Sequence, residues 1–489
     1  MQTTLLLDIA ADADPDLRAV GDWTLAEMRA QAKRAAAAAA SDNVGQIVYC
    51  GLNGAIVPQL LFGAGYAGLP FCPLNYRLPD EQLNALVART APALLVVADE
   101  MAARIGVHEG VTVMHVSAFE AAMCTAPEFD GYAENDTAVL LFTSGTTGAP
   151  KAAVLRHENL TSYILNTVDL LAAEADETAL VSVPNYHIAG ISAILSSVYG
   201  GRRIVYLSAF SPEDWVRTVD VERVTHAMLV PTMLDRVLDA AANAGSSLPS
   251  LRALSYGGGR MPEPVIARAM TALPHVGFVN AYGLTETSST IALLGAEDHR
   301  TAFAATNPAV RRRLHSVGKP LPGIEIEIRG ADGKSVLAAG ESGEVYVRGA
   351  QVSGEYLGKK ITDDKGWFAT NDGGSMDAEG YLFVEGRLDD VIVRGGENIS
   401  PGEIEDCLRA HPAVADCAVI GLPCAQWGEK IGAVVVARGG ADEGALAAHI
   451  RAALRSTKTP EAWFFTEELP YNETGKLLRR DLKKLYSGG

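Results

Sequence analysis

Cysteine is scarce and unpatterned in this chain. Six stand in 489 residues: Cys50, Cys72, Cys124, Cys407, Cys417 and Cys424. None forms a C-x-x-C pair and no Cys/His cluster has zinc spacing, which excludes a structural zinc module. Scattered thiols suit a reducing compartment, so a cytoplasmic protein is expected. Positive charge is also short: 41 Lys and Arg against 59 Asp and Glu give a formal net charge of -18. That balance argues against a nucleic-acid partner. It leaves room for small polyanions, because a few local cations suffice for a phosphate. The densest basic run, Arg311-Arg312-Arg313, reads as a solvated surface stretch. Long apolar runs are missing too. The uncharged stretch 44–76 is broken by Asn53, Pro58, Gln59, Pro70 and several glycines. It reads as a buried strand, helix and strand, so no transmembrane segment is expected. Residues 1–15 lack a basic start and meet Asp8 early, unlike a signal peptide. No internal repeat and no long linker stands out.

What remains is ordinary globular composition, 48% hydrophobic and 20% charged. The length exceeds what one core organises, so two or more domains are expected. Thr24 and Glu27 have capping-box spacing, with Trp23 and Met28 placed as a staple, and a helix should run through the alanine tract 35–40. Short apolar runs follow at 47–50, 138–142, 180–183, 203–207, 226–230 and 251–255. Several lead into helix-spaced stretches such as 213–221 and 264–273. This alternation predicts an α/β core with largely parallel strands. Near Val317 the texture changes. Stretches 323–329, 343–348 and 380–385 alternate like strands between turns such as Asp332-Gly333, predicting a β-rich subdomain. Past Arg387 a small α+β unit begins, its first helix marked by Ser400 as N-cap, Pro401 at N1 and Glu403 at N3.

One tempting motif fails. Gly63, Gly65 and Gly68 match G-x-G-x-x-G, but they follow a helix-like stretch and lead to Pro70 and Pro73. A dinucleotide fingerprint needs a strand before and a helix after, so helix packing and a turn are the reading. A stronger signal is Thr143-Ser-Gly-Thr-Thr-Gly-Ala-Pro-Lys151, directly after an apolar strand. Glycines let backbone close on a phosphate, hydroxyls donate hydrogen bonds and Lys151 supplies a cation. It is not a Walker A loop: the Gly145-to-Lys151 spacing is wrong and Ala152 stands where Ser or Thr would meet magnesium.

This loop resembles the signature of the adenylate-forming superfamily of acyl-CoA synthetases, adenylation domains and luciferases. The resemblance runs from about Asn75 to the C-terminus and is weakest before it. By that resemblance Thr143, Ser144, Gly145, Thr146, Thr147 and Lys151 hold the phosphates of ATP. Tyr256-Gly257-Gly258-Gly259-Arg260-Met261-Pro262 resembles the adenine-site loop. In Ala281-Tyr282-Gly-Leu-Thr285-Glu286, Tyr282 would stack on adenine and Glu286 would hold Mg²⁺. Asp372 matches the acid that grips the ribose, although Asn371 replaces the usual glycine. Arg387 matches the second ribose contact and Asp389 the hinge. Gly395 and Gly396 in 394–401 match the loop lining a pantetheine tunnel, and Lys476 the catalytic lysine of the C-terminal motif. His187 is similar to the residue gating between acyl pocket and thiol tunnel. Trp427 stands where some ligases place an indole against the adenine of coenzyme A, with core packing as the plainer alternative.

The resemblance implies an α/β fold with a large N-terminal domain (1–388), which binds ATP and acid, and a small mobile α+β lid (389–489). Rotation at Asp389 would present Lys476 for adenylation, then Gly395 and Gly396 for thioester formation. The implied activity is ATP-dependent ligation of an acid to coenzyme A, with ATP, Mg²⁺ and coenzyme A taking part. The rivals are an acyl-AMP ligase loading a carrier protein and an inactive nucleotide-binding scaffold. The acyl pocket would draw on 185–192, 232–234, 256–259 and 288–290. Besides tyrosine these offer one ionisable group, His187. An apolar acid is therefore expected, fatty, alicyclic or aromatic, because a buried charge without a partner is costly. The oligomeric state stays open, a homodimer included.

Overall fold

A computed structural model describes residues 1–40, 43–131, 133–143, 150–471 and 477–487, without the side chain of Asn398. Two large sheets, of eight and nine strands, build the N-terminal part. The strands Ile47–Cys50, Phe71–Pro73, Ala93–Val97 and Val111–His115 run parallel in the first. The strands Arg203–Tyr206, Thr178–Val181, His226–Leu229, Ala253–Gly257 and Gly277–Leu284 run parallel in the second. The largely parallel α/β core predicted from the alternating runs is present. Helices Thr4–Ala13, Leu25–Ala39, Ile56–Tyr66 and Ile188–Gly200 contribute to the largest apolar cluster. The Thr24–Glu27 capping box forms: the Glu27 amide donates to Thr24 Oγ1 at 3.2 Å and the Thr24 amide to Glu27 Oε2 at 2.9 Å. Gly63 lies inside a helix, where a Cβ would come within 2.9 Å of the Ala35 side chain. These glycines serve helix packing, as expected.

The nine-stranded sheet has two unlike faces. Parallel register puts Ala179, His226, Ala253 and Gly277 in one row and Leu180, Ala227, Leu254 and Phe278 in the next. Successive residues of a strand point to opposite sides. The second row is buried in the core formed with helices Pro212–Glu222, Pro231–Ala244 and Glu263–Ala272. The first row carries Ala179, Ala253 and Gly277 beside His226 and Ile204, and of these His226, Ala253 and Gly277 are only half-buried.

An antiparallel four-stranded sheet follows: Glu325–Arg329, Gly343–Arg348, Phe368–Met376 and Leu382–Arg387. The strand Phe368–Met376 was not legible, because Asn371, Gly373 and Gly374 interrupt its alternation. The C-terminal part is a five-stranded sheet around the long hairpin Val414–Cys424/Gly428–Ala437, with helices Pro401–Arg409, Glu443–Ala453 and Arg479–Tyr486.

Two expectations are corrected. Ser400 precedes helix Pro401–Arg409 but does not cap it with its side chain; its hydroxyl donates to the Glu385 carbonyl at 3.0 Å. The run Arg311–Arg313 is not a freely solvated stretch. Arg311 pairs with Glu263 at 3.1 Å, Arg312 lies 4.5 Å from the Phe383 ring centre, and Arg313 lies over Tyr381 with its side chain only 14% exposed. Arg312 and Arg313 hold this run against Phe383 and Tyr381 at the edge of the β-rich sheet through cation–π contacts. Among the described residues no helix is long and apolar enough to cross a membrane.

Candidate active site

A cavity of about 3190 Å³ opens where the parallel strands of the second sheet end, and the four-stranded sheet and the C-terminal part complete its walls. In open α/β sheets ligands bind beyond the carboxyl ends of the strands. Gly257 ends one strand and Tyr282 lies near the end of the next. A Cβ at Gly257 would sit 2.3 Å from the Ala281 carbonyl oxygen, so this close strand approach requires glycine. Gly258 has φ +76°, which glycine adopts without strain.

The Tyr282 hydroxyl donates to Asp372 Oδ2 at 2.5 Å, and Arg387 Nε stands 3.3 Å from Asp372 Oδ1. Cross-strand pairing of Asp372 with Arg387 sets this contact. Burial, then the Asp372 charge, pushes the Tyr282 phenol well above its ordinary value, so it stays a donor. Asn371, at φ +60°, donates from Nδ2 to Asp389 Oδ2 at 2.8 Å.

Glu286 is 8% exposed. The Tyr356 hydroxyl donates to its Oε1 at 2.5 Å, and no cationic side chain reaches the carboxylate among the described residues. The Lys151 amine instead lies 5.4 Å from the Tyr356 ring centre. A buried carboxylate with a phenol donor and no cation partner suits a divalent metal ligand. Thr143 ends its strand beside Lys151, its hydroxyl 3.4 Å from the Lys151 carbonyl. Thr285 lines the same cavity. His187 caps helix Ile188–Gly200 by position, its ring 4.7 Å from that of Tyr186.

The structure therefore brings Thr143, Lys151, His187, Gly257, Gly258, Tyr282, Thr285, Glu286, Asp372, Arg387 and Asp389 to one cavity. It places Gly395, Gly396 and Trp427 away from that cavity's wall. Those three sit together: the Gly395 amide donates to the Trp427 carbonyl at 2.8 Å, and Arg394 lies 5.2 Å from the Trp427 ring centre. Trp427 is 41% exposed, so the core-packing alternative is set aside. Ser144, Gly145, Thr146, Thr147 and Lys476 lie outside the described residues. The flanks of the last, Tyr471 and Leu477, do line the cavity. The C-terminal part is tied to the body by Arg260 to Asp406 and by the Ser400 hydroxyl to the Glu385 carbonyl at 3.0 Å.

Sequence reasoning missed Tyr356 and the group Glu177, Arg202 and His226 at the cavity's far end. Tyr356 meets Glu286 across 70 positions, and no local pattern marks such a contact.

The family model described as "AMP-binding enzyme" matches residues 7–357, and "AMP-binding enzyme C-terminal domain" matches 403–476. The match begins well before Asn75, so the likeness reaches further toward the N-terminus than the motifs indicated. A feruloyl-CoA synthase of an Amycolatopsis species is 33% identical over 90% of this chain and 89% of its own. A fatty acid–[acyl-carrier-protein] ligase of Streptomyces coeruleorubidus is 29% identical over 94% and 89%. The solved O-succinylbenzoate coenzyme A synthetase of Bacillus subtilis with ATP and a magnesium ion superposes with a TM-score of 0.83 at 29% identity, covering 98% of this chain and 99% of that one.

Proposed function

We infer the reaction from one premise: the chain belongs to the AMP-binding enzyme family. It is an ATP-dependent, AMP-forming acyl-CoA synthetase that uses ATP, Mg²⁺ and coenzyme A. The observation that carries the site assignment is Glu286, a buried carboxylate without a cation partner among the described residues, beside the Tyr282–Asp372–Arg387 chain.

In the first half-reaction the acid's carboxylate attacks the α-phosphorus of ATP and pyrophosphate leaves. In the second, the thiolate of coenzyme A attacks the acyl carbonyl and AMP leaves. No protein nucleophile is needed, so catalysis is positioning and charge neutralisation. Asp372, held by Tyr282 and Arg387, would accept the ribose hydroxyls. Gly257 and Gly258 leave room for the base against Tyr282. Lys151 and the hydroxyls of 143–147 would meet the phosphates. A magnesium ion held by Glu286 would offset their negative charge. Lys476 would stabilise the transition state at the α-phosphorus. His187 would gate the way from acyl pocket to thiol.

The domains divide at 388/389 in this reading. The lid turns about Asp389 and shows Lys476 for the first step, Gly395 and Gly396 for the second. The present arrangement, with Tyr471 and Leu477 on the cavity and Gly395 and Gly396 off it, suits the first. The acid is apolar, because the segments nearest the nucleotide offer no fixed charge to hold a second carboxylate or an ammonium. All six cysteines are free, which suits the cytoplasm.

The test is AMP release across an acid panel, with and without coenzyme A: hexanoate, octanoate, cyclohexanecarboxylate and benzoate against malonate, succinate and alanine. AMP release requiring both an apolar acid and coenzyme A is the expected result. Preference for any of the last three acids sinks the pocket assignment. Turnover only with an acylated carrier protein as product sinks coenzyme A as acceptor.

A further inference from the structure

The cavity continues past the nucleotide-side residues into a channel between helix Ile188–Gly200 and the small-residue face of the nine-stranded sheet. Ala253, Ser255 and Val279 form its floor, and Ser192, Ala193 and Ser196 line its helix side at the spacing of one helix face. Side chains this small hold the two layers apart without filling the gap. The opposite face of the same strands is packed with fully buried leucine and phenylalanine, so the space is a property of one face only. From Gly257 at the nucleotide end to Ala253 is four residues along one strand, roughly 13 Å.

At the far end stand Glu177, Arg202 and His226. Arg202 Nε donates to Glu177 Oε2 at 2.6 Å, which leaves the pair without net charge. His226 Nδ1 lies 2.9 Å from Thr225 Oγ1 and 3.7 Å from Glu177 Oε2. Burial first, and then the charge of Arg202, hold the His226 imidazole below its ordinary range, so it is neutral at pH 7. Thr225 Oγ1 accepts from the Thr178 amide at 2.9 Å and directs its one hydrogen to the Thr178 carbonyl at 3.1 Å. Its remaining lone pair calls for a donor, and the Glu177 carboxylate on the same side does likewise. The proton of the imidazole therefore sits on Nδ1. Nε2 is left as an acceptor, without a hydrogen-bond partner among the described residues.

The channel's hydroxyls have the same polarity. Ser192 donates to the Ala189 carbonyl, Ser196 to that of Ala193 and Ser255 to that of Ala227, at 3.2, 3.3 and 3.3 Å. The Ser192 oxygen already accepts from Ser289 Oγ at 3.1 Å, and those of Ser196 and Ser255 keep acceptor capacity for a ligand that has a hydrogen to give. A distal carboxylate would meet these acceptors, and the charge of Arg202 is already offset by Glu177. Resting on the ligase reading above, we propose that the acid is elongated, with an apolar body of roughly ten carbons and a hydroxyl at its far end that donates to His226 Nε2.

The experiment is ATP–pyrophosphate exchange with hexanoate, decanoate, 10-hydroxydecanoate and decanedioate, for the wild type and for His226→Phe, His226→Gln and Ser196→Phe. Ratios of kcat/KM are taken within each variant, so a general loss of activity cancels. The wild type should favour 10-hydroxydecanoate over decanoate about tenfold, the scale of one hydrogen bond. The ratio should fall to near one in His226→Phe and stay partly raised in His226→Gln, whose amide oxygen still accepts. Ser196→Phe should lower the decanoate-to-hexanoate ratio at least tenfold. Equal use of the two ten-carbon acids, a hydroxyl preference that survives His226→Phe, or a preference for decanedioate overturns the distal hydroxyl. A wild type confined to hexanoate overturns the channel. Exchange with none of these acids, nor with benzoate or cyclohexanecarboxylate, sinks the ligase reading and this inference with it.

Discussion

Asn371 is a residue whose identity changes what its neighbours do. Its φ of +60° belongs to the left-handed region, where asparagine is tolerated and glycine is free of strain. The side chain uses that conformation to bond Asp389 at 2.8 Å. If Asp389 is where the lid turns, this bond holds the present orientation and must break for the other. Asn371→Gly deletes it, a change of about 1 kcal/mol. Transfer from a supplied acyl-adenylate to coenzyme A should then quicken by about two- to fivefold, with adenylation little changed. Single-turnover rates for each half-reaction check this; equal change in both would sink the latch. Single residues also mark the limits of the sequence. Asp372, Glu286 and Tyr282 were legible because each sits in a motif whose chemistry is local. Tyr356, Arg202 and His226 were not, since only the tertiary fold brings them to partners 70, 25 and 49 positions away.

Elements are held by contacts that titrate or that tolerate no half-measures. Helix Thr4–Ala13 is tethered where the Thr3 amide donates to His157 Nδ1 at 3.1 Å. Burial, with the N-terminal amine, holds that imidazole down to about 4, against 6.5 unperturbed. The unfolded chain therefore binds the extra proton first as pH falls. The stabilisation is complete above about 6.5 and is lost progressively toward 4. Between pH 7 and 5 the loss should be about 2 kcal/mol. Thermal midpoints of the wild type should drop more steeply over that range than those of His157→Gln, and parallel curves would refute the assignment. In the C-terminal part, Arg479 bonds Glu405 at 2.5 and 2.9 Å, and the Glu405 side chain is 4% exposed. Arg479→Ala leaves the buried carboxylate only Arg409 at 3.9 Å and the Val419 amide, at a cost of about 3 kcal/mol, the low end for a broken buried pair. An early unfolding transition, with protease cuts confined to 389–489, is expected; an unshifted melt would contradict it. The elements themselves were readable where periodicity was clean, as in the parallel strands. They were not readable at Phe368–Met376, where Asn371, Gly373 and Gly374 break the strand pattern.

At the scale of the whole molecule, the proposed turning lid would give two faces of one small domain two tasks. Lys476→Ala should cripple adenylation and spare transfer from a supplied acyl-adenylate. Gly396→Leu should do the reverse, because its φ of +85° and an added side chain both act on the thiol side. Loss of both half-reactions in either variant would argue against a turning lid. The nine-stranded sheet divides its labour in another way. One face, with Leu254 and Phe278, is packed into the core; the other joins the largest apolar cluster through Val181 and Ile204, and in the proposed reading carries the acid along Ala253, Ser255 and Val279. Mutations at Ala253, Ser255 and Val279, which belong to no apolar cluster, should remove little from the core. The enzyme's diet is thereby uncoupled from its durability, and a lineage could try many acids in turn without first acquiring spare stability.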